Sequence, residues 1–162
     1  MSVALQITID GLERAIGVIA RLEDAPAEEL MTIIGAEGEN QTRRRIESEK
    51  TAPDGSAWKP NRHGGSILLA SGNNLRDSVA YQVTGATSVE WGASWEYAHV
   101  HQNGMVIKPR NAKRLAFGLG GDRVFARQVT IPPRPFVGLS DANAREIVDT
   151  VTDFLGLIGR IG

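Results

Sequence analysis

Three prolines fall within four residues at Pro132-Pro133-Arg134-Pro135, and nothing else in the 162-residue chain restricts its path as strongly. Each ring fixes φ near −65° and removes an amide donor, so the segment can enter neither a helix interior nor the middle of a sheet. Ile131 to Phe136 is therefore expected to run extended and polyproline-like. Just beyond it, Ser140 or Asp141 is placed to cap a helix, and Ile147, Val148, Val151, Phe154, Leu155 and Ile158 follow three-four spacing. The prolines thus divide a final amphipathic helix from everything upstream.

Upstream, Val3, Leu5, Ile7 and Ile9 alternate as in a strand, and Asp10 stands where it can cap a helix carrying Ala15, Ile16, Ile19 and Leu22 to near Asp24. Pro26 is suited to open a second helix, whose stripe begins with Leu30, Ile33 and Ile34. Gly35 and Gly38 cost that helix about 1 kcal/mol each against alanine, which predicts either a soft middle or close packing there. Arg43-Arg44-Arg45 reads as a solvated helix face. Residues 51–66 form a loop by composition, with Pro53-Asp54-Gly55 as a turn and Trp58 as a bulky anchor out of character with its polar neighbours. A cap and a short helical turn follow at Ser71 to Asp77. Val79, Tyr81 and Val83, then Val89 and Trp91, predict a hairpin. Met105 to Ile107 is strand-like, Lys108 to Arg114 is basic, and Leu115 to Phe117 with Val124 to Ala126 flank a glycine-rich hairpin tip at 118–122. This order gives an α+β class: an antiparallel sheet or small sandwich packed by N-terminal helices and a C-terminal helix, with an extended hairpin, in one domain over 1–162.

Charge, at a net of −1 and a pI near 6.3, directs the chain to no polyanion as a whole, and the absence of cysteine removes disulfides and thiolate metal sites. No segment approaches the roughly 18 consecutive apolar residues of a membrane span, so no membrane partner is expected. His99 and His101 share a face only if extended, and the further ligands that zinc needs would have to come from His63, Glu96 or Asp54 at no recognisable spacing. On a helical turn, Tyr97 and His101 instead form an i, i+4 pair that Gly104 ends in αL geometry. No nucleophile elbow, phosphate loop or distinctive carboxylate pair is present, so neither catalysis nor a cofactor is expected.

Four blocks occur in one order: "PDGSAWKP" at Pro53 to Pro60, "ILLASGNNLRDSV" at Ile67 to Val79, "VEWGASWEYAHVHQNG" at Val89 to Gly104, and "IPPRPFVGLS" at Ile131 to Ser140. Together they resemble the phage virion morphogenesis family, the tail-completion and neck proteins of Mu-like and related tailed phages, over roughly Thr42 to Leu157. The resemblance implies a non-catalytic virion protein at the head-tail junction or the top of the tail, made in the host cytoplasm. It implies a homo-oligomeric ring, hexameric in expectation, with head-completion and tail-tube proteins as neighbours and DNA passing through the lumen. Rings need heterologous contacts that close, and the expected interface residues are Trp58, Leu119, Pro133, Arg134 and Phe136. The basic segment offers Lys108, Arg110, Lys113 and Arg114 for DNA or a partner. Two other functions stay open on the residues alone: a DNA-binding module using those four cations, and a metal-dependent hydrolase using His99 and His101.

Overall fold

Gly35 and Gly38 decide how the long upstream helix meets the sheet. The computed structural model describes residues 3–5, 26–62, 64–69, 72–119 and 121–161, so the helix expected at Leu12 to Asp24 lies outside it. Helix α1 (Ala27–Arg44) crosses the hairpin of β2 (Val79–Gly85) and β3 (Ser88–Ala93), and a Cβ built on Gly38 would stand 2.5 Å from the Trp91 indole. One on Gly35 would collide with the Tyr81 ring and lie 2.7 Å from Val89 Cγ2. The glycines therefore mark close packing, and α1 is continuous through them. Its ends are complementary to the helix dipole: Glu28 and Glu29 in the first turn, Arg43 and Arg44 in the last. Pro26 sits one position ahead of the helix, its carbonyl accepting from the Leu30 amide at 3.0 Å.

A short strand, β1 (Val3–Leu5), pairs antiparallel with β3, giving the order β1-β3-β2 with Leu5 and Tyr81 flanking Trp91 in register. Helix α1 closes the free edge of β2 with side chains. Glu39 Oε2 accepts from the Tyr81 amide at 3.1 Å, and Arg43 Nη2 donates to the Val79 carbonyl at 2.8 Å while pairing with Glu39 at 2.9 Å. An edge with its polar groups engaged no longer templates another strand.

At Arg45 the helix widens into a π-turn (Arg45–Glu49) that ends at Lys50 in the left-handed region, φ 56° and ψ 30°. The Lys50 ammonium donates to the carbonyls of Ile46 and Ile67. Arg45 and Ile46 both face inward, 1% and 0% exposed. This corrects the expectation of a solvated arginine face. Arg44 does lie in solvent, paired with Glu49 and Glu146, but Arg45 continues the buried stripe of Ile34, Gly38, Gln41 and Thr42 at three-four spacing. A short helix α2 (Asn74–Asp77), a six-residue helix α3 (Ala98–Asn103) and the final helix α4 (Asp141–Ile161) complete the helical elements of the described residues.

The class is α+β as expected, but the choice between one sheet and a sandwich resolves into three small antiparallel sheets. Beside β1-β3-β2 there is a ribbon of β4 (Met105–Ile107) with β7 (Val129–Ile131), and a hairpin of β5 (Leu115–Leu119) with β6 (Asp122–Ala126). Two apolar clusters hold the body. In one, Trp58, Leu75, Val79, Trp91, Ala98, Phe136 and Val137 meet beneath the sheet; in the other, Leu30, Met31 and Ile34 of α1 pack on Ile147 and Val151 of α4. Ser140 caps α4 reciprocally, its hydroxyl accepting from the Asn143 amide at 3.1 Å while Asn143 Oδ1 accepts from the Ser140 amide.

The two influences on Gly38 have opposite signs, so Gly38→Ala separates them. Helix propensity alone would stabilise by about 1 kcal/mol. Overpacking against a buried indole is expected to win, with a net loss of about 1–3 kcal/mol in urea denaturation; a gain in stability would contradict the packing described.

Candidate assembly surface

The proline segment is a strap rather than a free arm. Ile131 closes β7; from Pro132 to Leu139 the chain has no ladder partner, and side chains from elsewhere bind its backbone instead. The Arg134 amide donates to the His101 carbonyl at 2.7 Å. Trp58 Nε1 donates to the Pro135 carbonyl at 3.0 Å, and Gln102 binds both ways, accepting from the amides of Phe136 and Val137 and donating to the Val137 carbonyl. Arg45 Nη1 donates to the carbonyls of Phe136 at 3.1 Å and Gly138 at 2.8 Å, and its Nη2 donates to Asn143 Oδ1. Arg45 Nε is 3.8 Å from Glu49 Oε2, beyond hydrogen-bond reach. Every polar group bound in this way is buried or half-buried, where an unpaired one would cost about 1–3 kcal/mol.

These contacts revise the expected interface residues. Trp58 is 5% exposed, Arg134 6% and Phe136 1%, and all three are committed to the subunit's own interior. Arg134 itself donates to the carbonyls of Lys59 and Pro60, tying the 51–62 loop to the strap. The residues that looked misplaced on a single subunit are its internal fastenings. Pro133 is exposed, and Leu119 ends β5 opposite Asp122 in the hairpin register.

The opposite holds for the segment from Met105 to Ile131. The basic residues Lys108, Arg110, Lys113 and Arg114 are all exposed, joining the β4-β7 ribbon to the β5-β6 hairpin, and none makes an ion pair among the described residues. Met105, Val106 and Ile107 are 41%, 51% and 37% exposed, and Phe125 is 57% exposed. Arg123 lies over the Phe125 ring, 5.8 Å from its centroid. A two-stranded ribbon is marginal in water, and this one holds apolar side chains out from the body. Glycine serves the arm at two points. Gly121, at φ 95°, lets the hairpin reverse. Gly104, at φ 72°, passes so close that a Cβ would stand 2.8 Å from Pro133 N. Gly104 departs from the expected αL geometry: its ψ of 161° is extended, because the chain leaves α3 directly into β4.

His99 and His101 lie on α3, and no group of three or more His, Cys, Asp or Glu that could hold a metal occurs among the described residues. His63 lies outside them. The ring of His101 stacks on Trp95 at 5.8 Å and 12°, and Trp95 meets Tyr97 edge-on at 5.2 Å. The expected Tyr97–His101 pair thus works through a third ring that the sequence reading did not weigh. Burial, and secondarily the nearby Arg134 cation, push the His101 pKa down, which keeps the imidazole neutral.

Two carboxylates are engaged structurally. Arg44 holds Glu146 below the usual carboxylate range, and Asp54 is lowered by the Ser56 hydroxyl and amide. An open cleft of about 640 Å³ lies between Thr51–Gly55 and Leu139–Ala142. The carboxylates at its edge include Asp54, bound to Ser56, and Glu49, bound to Arg44. Asp141, in the first turn of α4, also lines it.

Two outcomes check this assignment. Trp58→Ala should cost about 3–5 kcal/mol of folding stability in urea denaturation; a variant of full stability that fails only in assembly would return the indole to an interface. His101 sets a pH window. Because its folded pKa is lowered, the unfolded chain takes up the proton first, so stability is full above about pH 6.5 and declines as pH falls through that value. Glu146, lowered in the fold, adds a second loss at more acid pH. His101→Gln should remove the upper window from thermal unfolding followed between pH 7.5 and 5 and leave the lower one; an unchanged profile would contradict the burial described.

Comparison with curated proteins and with solved structures gives no significant match. The family model for phage virion morphogenesis matches residues 7–156. That match spans the α1 glycines, the strap and its anchors, the exposed arm and most of α4, and the chain belongs to the phage virion morphogenesis family, a protein of virion structure or assembly.

Proposed function

We propose that the chain is a tail-completion or neck subunit, closing as a homo-oligomeric ring at the head-tail junction or the top of the tail of a tailed phage. DNA passes through the middle, and head-completion and tail-tube proteins are its neighbours. The observation that supports this reading most is the contrast within the fold: the body engages its own polar and aromatic groups, while Met105 to Ile131 offers apolar and cationic side chains outward. A virion protein has a use for such a surface, whereas a protein acting alone carries it as a liability. One exposed segment per subunit serving one neighbour suits a closed ring, and six is the copy number proposed. No step of it requires catalysis or a cofactor.

A second reading follows from the same cations. Lys108, Arg110, Lys113 and Arg114, all exposed, can bind phosphates directly, and such binding weakens steeply with added salt. The leading reading is checked by deleting the gene from its phage. Unjoined heads and tails are expected in the lysate by electron microscopy; joined, infectious virions would refute it.

A further inference from the structure

Charge is segregated within this chain. Residues 105–131 carry six of its 18 Lys and Arg and, in Asp122, one of its 19 Asp and Glu, a net of +5 in a chain of net −1, which leaves −6 on the rest. Part of that negative charge lies on the outer face of α4, where Asp141, Asp149 and Asp153 are exposed and make no ion pair among the described residues. The cation on the same face, Arg145, is turned back onto its own helix, donating to the Asp141 carbonyl at 3.1 Å. On the same helix stands Val148, 45% exposed. Helical spacing puts Val148 beside Ala144, Arg145 and Thr152, and Asp149 one turn before Asp153 roughly a quarter-turn further round, so the face presents an acidic row with one apolar side chain to its side. The exposed segment presents the converse: Met105, Val106, Ile107 and Phe125 among Lys108, Arg110, Lys113, Arg114, Arg123 and Arg127.

We infer that the Met105–Ile131 arm of one copy docks on the outer face of α4 of a second copy. The inference rests on the ring reading and names its contact. A duplex would match the cations and leave four apolar side chains in water; α4 of another copy offers its acidic row to the cations and Val148 to the apolar side chains. Because arm and helix are different surfaces, the contact is heterologous, and every copy retains one unused arm and one unused helix until the series closes. Both partners are held in place by the body. The arm leaves the strap through β7, and α4 is fastened to α1 by Ile147, Val151 and the Arg44–Glu146 pair. The angle between copies is then set within each subunit.

Charge exchange in the full chain tests this. One variant reverses the arm, Lys113→Glu with Arg114→Glu; the other reverses the helix, Asp149→Lys with Asp153→Lys. All four residues are exposed, and thermal unfolding of each variant should match the unmodified chain. In sedimentation velocity at low salt the unmodified chain should self-associate, each variant alone at least about tenfold more weakly, and a one-to-one mixture of the two should recover association, since each arm then meets a helix of opposite sign. Zero-length carbodiimide cross-linking between isotope-labelled and unlabelled copies should join Lys113 to Asp149 or Asp153. The contact is overturned if the unmodified chain stays monomeric, if the mixture recovers nothing, or if arm reversal leaves association intact and abolishes only retention of a duplex oligonucleotide. Unjoined particles on gene deletion together with an unrecovered mixture would sink this contact and leave the ring; joined virions would sink the ring itself.

Discussion

One buried guanidinium ties the three parts of the body together. Arg45 comes from the π-turn that ends α1, donates to two carbonyls of the strap and reaches Asn143 in the first turn of α4. A charge taken out of water costs several kcal/mol unless its donors are satisfied. The strap and α4 satisfy most of them: without a ladder partner, the strap carbonyls stay available to Nη1, Asn143 takes Nη2, and Nε alone has no hydrogen-bond partner among the described residues. Burial lowers the Arg45 pKa, yet an arginine keeps its proton at any physiological pH. The joint is therefore insensitive to pH, in contrast to His101 nearby.

From that joint the rest is positioned in order. Trp58 and Arg134 lash the 51–62 loop to the strap, and Gln102 locks α3 against it. Helix α3 and β7 then fix the two ends of the exposed arm, one through Gly104 against Pro133, the other through Ile131. The anchored strap converts a marginal ribbon into a presented one. Its cations and apolar residues project from the base of a rigid frame, which limits the ordering entropy lost when a partner binds.

The sequence revealed what depends on local chemistry. Alternation gave the β2-β3 hairpin, three-four spacing gave α4 with its Ser140 cap, the prolines gave the extended strap, and the four ordered blocks gave the family. It failed where long-range packing decides. Trp58, Arg134 and Phe136 looked like surface anchors because each sits in a stretch of loop composition, and nothing local says that 77 residues away a proline carbonyl awaits the indole. Arg45 was misplaced for a related reason: three consecutive arginines suggest a solvated face, while the third falls three and four residues beyond Thr42 and Gln41 on the buried stripe of α1. The three-four spacing that starts at Leu30 and Ile34 was the local hint, with Ile46, a buried-type residue, next in line. The exposed arm was better read, since four cations and a glycine-rich tip announce a surface on their own, although the apolar exposure of Met105 to Ile107 needed the sheet pairing to be known.

The central claim is mechanical: a strap locked into the body holds out an arm that is itself barely stabilised. Hydrogen exchange on the free subunit, read amide by amide, measures both halves at once. The amides of Phe136 and Val137 should exchange only with global unfolding, while those of Leu115 to Leu119 exchange through local opening at far lower free energy. Strap amides that exchange as fast as those of the arm would contradict it.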